Sequence, residues 1–169
     1  FLQRHPGMAY SVSCTTRPMR PGEVDGRDYT FLAEAAFEDG IAAGRFVEWA
    51  RVHGHFYGTP REPLDRALAE GRDVMLDLDV VGSLALKAAY KDRAVTLFIL
   101  PPSIEELRRR LQARATDAPD VQTLRLRNAM DELALKDRFD HRIVNDDLDR
   151  ACAEIEGILG LATGGETAS

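Results

Sequence analysis

The hydrophobic pattern along the chain changes its period near residue 60. Before that point, "YSVSC", "DYTFL" and "RFVEWARV" carry β-formers in partial alternation. Between them, "RPGEVDG" and "HGHFYGTP" are turn chemistry, and a short helix fits around Glu34 to Ala43. From Arg61 onward helix and strand alternate. "REPLDRALAEG" reads as a helix ending at Gly71, "DVMLDLDV" as a buried strand and "VGSLALKAAY" as a helix. "RAVTLFIL" is continuously apolar, as a strand buried on both faces should be. Ser103 and Glu106 form a capping-box pattern at the start of "SIEELRRRLQAR". A long helix over "APDVQTLRLRNAMDELALKDR", a strand "HRIVND" and a last helix "DLDRACAEIEGILGL" complete the series. Alternating strands and helices predict an α/β layer structure with a parallel sheet. The first fifty or so residues predict a separate β-rich subdomain.

Composition narrows the function classes. The 169 residues are about one domain's worth, with 44% hydrophobic and 30% charged residues. Lys and Arg number 22 against 28 Asp and Glu, a net charge of −6. An acidic protein attracts nucleic-acid phosphate poorly, so no nucleic-acid partner is expected and any phosphate binding must be local. Cys14 and Cys152 match no metal spacing and predict a reducing, cytoplasmic setting. The longest apolar run, "AVTLFIL", is too short to span a bilayer, so no membrane association is expected. The four histidines do not make a convincing metal set: His53 and His55 flank Gly54 and read as a hairpin turn. The chain opens on Phe1 rather than Met and so reads as a fragment or a processed form.

The stretch "SCTTRPMRPGEVDGRDY" concentrates the candidate chemistry. Arg17 and Arg20 lie beside Pro18 and Pro21, which restrict the backbone. Two planar donor forks on a stiff loop make a phosphate site, to which Tyr29 and Tyr57 can add hydroxyls. The blander alternative is a solvated loop whose arginines pair with Glu23, Asp25 and Asp28. Glu48, in "FVEWA", is a carboxylate among large apolar residues, costly unless partnered. Guanine offers N–H donors at N1 and N2 that one carboxylate can accept together, whereas adenine has no proton at N1. Ser13 and Thr59 can bond the rest of such a base, while a salt bridge from Glu48 to Arg45 or Arg51 is the structural alternative.

"SVSCTTRPMRPGEVDGRDYTFL", "FVEWARVHGHFYGTP", "DVMLDLDVVG", "LFILPPSIEELRRRLQARATD" and "IVNDDLD" together resemble the guanylate kinase family, in order over most of the chain. The resemblance implies a P-loop nucleoside-monophosphate-kinase-like parallel sheet flanked by helices, with a small β-rich GMP-binding subdomain and a helical lid. It implies one domain over 1–169, with GMP-binding part 13–60, core 61–108 and 126–162, lid 109–125 and a frayed tail 163–169. It implies transfer of the ATP γ-phosphoryl group to GMP or dGMP with Mg2+, by a monomer or homodimer. By position, Ser13, Glu48 and Thr59 match guanine-reading residues, and Arg17, Arg20, Tyr29 and Tyr57 match groups on the GMP phosphate. Asp77 and Asp79 match acidic residues near the nucleotide and its magnesium, and Asp79 alone also suits a helix N-cap. Arg110 and Arg114 match lid arginines over ATP, Arg125 an arginine that reaches the transferred group, and Asn145 and Asp146 a loop beside the adenine. The catalytic set so implied is Arg20, Arg114 and Arg125, with Arg110, Arg114, Asn145 and Asp146 on the ATP side. No protein residue is assigned to the metal.

Two substitutions depart from the family pattern: Val81 replaces a usual glutamine and Ala115 a usual glycine. No G-x-x-x-x-G-K-[ST] occurs in the 169 residues, so little turnover is expected of them alone, with open strand edges in the sheet. The runner-up reading is a non-catalytic guanylate kinase-like module binding GMP or a phosphopeptide. Retention of Asp77, Asp79, Arg110, Arg114 and Arg125 favours the enzyme, since a pure binder needs no lid arginines.

Overall fold

The computed structural model describes residues 1–52, 54–113 and 119–161, and for 112–113 and 119–125 the backbone alone. The chain divides into two compact units, Phe1–Ala94 and Val95–Ser169.

The first unit contains β1 (Ala9–Tyr10), β2 (Cys14–Thr15), β3 (Thr30–Phe31), α1 (Glu34–Ala42), β4 (Phe46–Val52), β5 (His55–Pro60), α2 (Arg61–Ala69), β6 (Val74–Met75) and α3 (Val80–Tyr90). Its main sheet has the order β3-β2-β5-β4. The β4–β5 hairpin is antiparallel and pairs Glu48 with Thr59 and Ala50 with Tyr57, after a register shift between Phe46 and Glu48. Strand alternation then sorts the two faces. Cys14, Phe46 and Phe56 pack on α1, where Phe37 is fully buried. The Phe37 ring stacks on Phe46 at 4.3 Å and on Phe56 at 5.2 Å. Thr15, Tyr57, Thr59 and Glu48 belong to the opposite side of the ladder. A second cluster joins Leu64 of α2 to Leu86 of α3 and Ala94, with Val74, Leu76 and Leu78 against it.

The second unit contains β7 (Leu97–Leu100), α4 (Ile104–Ala113), α5 (Pro119–Leu133), β8 (His141–Val144) and α6 (Leu148–Leu159). β7 and β8 pair in parallel from Leu97↔His141 to Leu100↔Val144. Ile143 is fully buried there, and Phe98 meets Phe139 edge-on at 4.9 Å. Thr96 donates its backbone N–H and its hydroxyl to the Asp140 carboxylate, each at 2.8 Å, which ties the starts of the two strands together.

Several sequence expectations change. "YSVSC" splits into β1 and β2, because Ala9 and Tyr10 pair in parallel with β6 while Cys14 and Thr15 pair with β3 and β5. The strand expected over "DVMLDLDV" is only Val74–Met75, half-buried, with Asp77 and Asp79 exposed. The strand in "RAVTLFIL" is likewise shorter than its apolar run, and Ile99 is 46% exposed. The capping box of α4 is half made: Ser103 Oγ accepts the Glu106 N–H at 3.1 Å, but the Glu106 carboxylate goes to Arg109 and Arg110. Parallel pairing joins β1 to β6, β2 to β3 and β7 to β8, and the two-stranded β1–β6 and β7–β8 sheets each have open edges among the described residues. The tail 163–169 lies outside the described residues, as does much of the lid segment 109–125. Among the described residues, no helix is long and apolar enough to cross a membrane.

Candidate nucleotide site

In the first unit, β2 leads directly into the arginine loop. Thr15 is fully buried; its hydroxyl donates to the Phe56 carbonyl at 2.9 Å and accepts the Arg17 N–H at 3.1 Å. The loop is therefore anchored on the central strands at the point where Arg17 leaves them. The Arg17 guanidinium lies over Tyr29 at 5.4 Å and over Phe31 at 5.7 Å, in cation–π range. Tyr29 packs edge-on against Tyr57 at 6.0 Å, so both predicted tyrosines join Arg17 in one cluster. Burial, then the neighbouring Tyr57, pushes the Tyr29 phenol up, so it stays a hydroxyl donor at neutral pH.

Arg17 and Arg20 differ in state. Arg17 forms a two-point pair with Glu23, Nη1 to Oε2 at 3.0 Å and Nη2 to Oε1 at 2.7 Å. This bond raises the Arg17 pKa, and the same bond, with the backbone N–H of Arg20, holds the Glu23 carboxyl below its usual range. Arg20 is exposed, and its guanidinium makes no hydrogen bond or ion pair among the described residues. Arg27 instead pairs with Asp28 at 2.8 Å. The pairing expected of a solvated loop is thus made twice, by Arg27 with Asp28 and by Arg17 with Glu23, but Arg17 is also packed against the rings of Tyr29 and Phe31 rather than solvated.

Glu48 stands on β4 opposite Thr59. Thr59, fully buried, donates its hydroxyl to Glu48 Oε1 at 2.5 Å. Neither salt bridge considered for Glu48 forms: Arg51 pairs with Glu34 at 3.2 Å, and Arg45 donates to the Ala36 carbonyl. The other oxygen, Oε2, lies against the first turn of α3, where a Cβ at Gly82 would come within 3.0 Å of it. Burial raises the Glu48 pKa; Thr59 opposes this, and the nearby Asp79 charge adds to it. A half-buried carboxylate with no cation paired to it among the described residues is the arrangement expected where a ligand supplies the donors. Asp79 caps α3, accepting the Gly82 N–H at 2.7 Å, so its predicted cap role is realised. Asp77 is exposed near Tyr10 and Tyr29, whose phenols its charge helps to raise. Ser13 is half-buried beside β2, and its carbonyl accepts the Thr30 N–H.

In the second unit, Arg110 and Asn145 come together. Arg110 donates from Nε to Glu106 at 2.7 Å and from Nη2 to the Asn145 carbonyl at 3.2 Å. Glu106 also receives a forked bond from Arg109, and the two arginines pull its carboxyl down to about 2. Asp146 is occupied locally, pairing with Arg150 and accepting the Asp147 N–H at 2.7 Å. Arg114 and the Arg125 side chain lie outside the described residues. Sequence reasoning assigned no site role to Thr15, Phe31 or Gly82 and treated Glu23 only as a competitor for the arginines. Their signals are positional: Thr15 stands two residues before Arg17, and Gly82 three after Asp79.

The geometry has independent company. The guanylate kinase family model matches residues 1–161. The guanylate kinase of Symbiobacterium thermophilum is 49% identical over 159 residues, covering 94% of this chain and 75% of the relative. That of Gloeobacter violaceus is 52% identical over 157 residues, covering 93% and 76%. The crystal structure of guanylate kinase from Anaplasma phagocytophilum superposes with a TM-score of 0.80 at 33% identity, over 98% of this chain and 80% of that one. A match that spans nearly the whole chain in sequence and in fold leads to one conclusion: the chain belongs to the guanylate kinase family.

Proposed function

We infer that this protein transfers the γ-phosphoryl group of ATP to GMP or dGMP, giving GDP or dGDP and ADP, with Arg17, Arg20, Tyr29, Glu48, Tyr57 and Thr59 holding the acceptor. The observation that carries this reading is Glu48. Its carboxylate is held on one side by Thr59, has no cationic partner among the described residues, and shares a unit with the arginine–tyrosine cluster. Ionised Glu48 accepts hydrogen bonds from guanine N1–H and N2–H, while the Thr59 hydroxyl and Ser13 complete the base site. Arg17 and Arg20 take the phosphate oxygens, with the Tyr29 and Tyr57 hydroxyls as neutral donors.

Converging arginines stabilise the charge that spreads over the equatorial oxygens in phosphoryl transfer. We assign that role to Arg20, Arg114 and Arg125, and an ATP-side role to Arg110, Asn145 and Asp146. Mg2+ suits the same chemistry, because it takes one or two carboxylates and completes its shell with phosphate oxygens and water. The exposed Asp77 and the second oxygen of Asp79 fit such a partial set, and no group of three or more His, Cys, Asp or Glu among the described residues competes with it. Bound there, the ion would neutralise phosphate charge. The segments 13–60, 61–108 with 126–162, and 109–125 are proposed as GMP-binding part, core and lid. We place the reaction in the cytoplasm, in a monomer or homodimer; the free, buried Cys14 and Cys152 support a reducing compartment.

The test is selectivity. Titration calorimetry should show GMP bound on the order of 100-fold or more tighter than AMP, since AMP leaves a charged acceptor facing an unprotonated ring nitrogen. Equal affinity for the two would remove Glu48 from the base site.

A further inference from the structure

We propose that Glu23 is a positioning residue of the GMP phosphate site, holding the Arg17 guanidinium by its end so that the remaining edge faces the phosphate. This rests on the acceptor reading above.

Gly22 stands at φ +88°, a left-handed conformation that glycine adopts readily, and the turn brings Glu23 back beneath the loop it follows. The carboxylate then makes three bonds at once. Two go to the Arg17 fork, at 2.7 and 3.0 Å, and the third accepts the Arg20 backbone N–H at 2.7 Å. One side chain therefore sets the guanidinium of the first arginine and the backbone of the second. The pair is sheltered: the Arg17 side chain is 11% exposed and that of Glu23 19%.

The donor inventory shows why this pairing leaves phosphate binding open. A guanidinium has five N–H groups. Nη1 donates to Glu23 and, at 2.7 Å, to the Pro18 carbonyl; Nη2 donates once to Glu23. These bonds do not use Nε or the second Nη2 hydrogen, which form a second two-point edge suited to phosphate oxygens, and the Tyr57 hydroxyl, itself in hydrogen-bond contact with this guanidinium, would meet the same phosphate. The rings of Tyr29 and Phe31 fix the plane. Without Glu23, Arg17 would have to surrender rotamer freedom on binding, which weakens affinity. The exposed Arg20 guanidinium, which makes no hydrogen bond or ion pair among the described residues, is available to the same phosphate.

The experiment compares GMP with guanosine, which lacks the phosphate, on wild type, Glu23→Gln and Glu23→Asp. The Gln variant is expected to raise the GMP Kd by about tenfold, the loss of roughly one charge-assisted bond's worth of organisation, while the guanosine Kd stays within about twofold. The Asp variant, which keeps the charge on a shorter stem, is expected to recover part of the GMP affinity. A lowered Tm with unchanged GMP affinity would make Glu23 merely structural and overturn the proposal. Tighter GMP binding would also overturn it, showing that Glu23 competes with phosphate. Equal losses for GMP and guanosine would overturn it by showing collapse of the whole pocket. If the Gln variant does not fold, the Asp variant carries the same contrast. Failure of wild type to bind GMP would overturn the acceptor reading and this proposal together, and so is distinguishable from failure of Glu23 alone.

Discussion

At the scale of the residue, the role proposed for Glu48 sets stability against recognition. Its pKa is raised by burial, so the folded chain holds that proton more tightly than the unfolded chain does. Below the ordinary carboxylate range both states are protonated and the group costs nothing. As pH rises, the unfolded chain ionises first, and stability is lost until the pH passes the raised value. Glu48→Gln removes this loss and keeps an acceptor for Thr59. Thermal unfolding should show the variant more stable than wild type at neutral pH, with the difference vanishing in acid. The same proton sets the ligand dependence. Guanosine affinity of wild type should fall as pH drops through the raised Glu48 value, and no such fall should appear in the Gln variant. Gly82 belongs to the same balance, because a Cβ there would lie 3.0 Å from Glu48 Oε2 and 3.3 Å from Asp79 Oδ1. Gly82→Ala should displace the carboxylate and weaken GMP binding roughly tenfold. Helix propensity alone favours the alanine by up to about 1 kcal/mol, so calorimetry and unfolding should move in opposite directions.

At the scale of the element, the β4–β5 hairpin and helix α1 decide where the side chains of the proposed acceptor site stand. The register shift between Phe46 and Glu48 lets Phe46 stay in the core while Glu48 meets Thr59 on the other side. α1 holds that register through one side chain, Phe37, sandwiched between the rings of Phe46 and Phe56. Phe37→Ala should cost about 3–5 kcal/mol in denaturant unfolding, a large share of a domain's stability, and should take GMP binding with it. The hairpin and α1 were legible from β-formers, turn residues and spacing. The register shift was not, because alternation in "RFVEWARV" fits either register until the partner strand is known.

At the scale of the whole molecule, charge is the useful quantity. With a net charge of −6, the protein should bind phosphate only where arginines are built into a site. It should not shift duplex DNA in a mobility assay at physiological salt, whereas GMP binding should persist there and weaken as salt rises. A DNA shift under those conditions would mean that a basic surface outweighs the overall balance.

What the sequence determined by itself was the chemistry available and its order along the chain. The proline-flanked arginines, the carboxylate in "FVEWA", the change of period near Arg61 and the joint run of motifs were enough for the α/β class and the family. Local signals suffice there because turn residues, apolar period and side-chain donors act over a few positions. Tertiary structure alone decided which partner each charged group takes. Glu48 had Arg45 and Arg51 within three residues and bonds Thr59 instead, eleven positions away. Glu23 had three arginines within six residues and takes Arg17, because burial over Tyr29 and Phe31 fixes that guanidinium and leaves Arg20 in solvent. Pairing is a property of distance and shelter in space, and only the folded sheet supplies both.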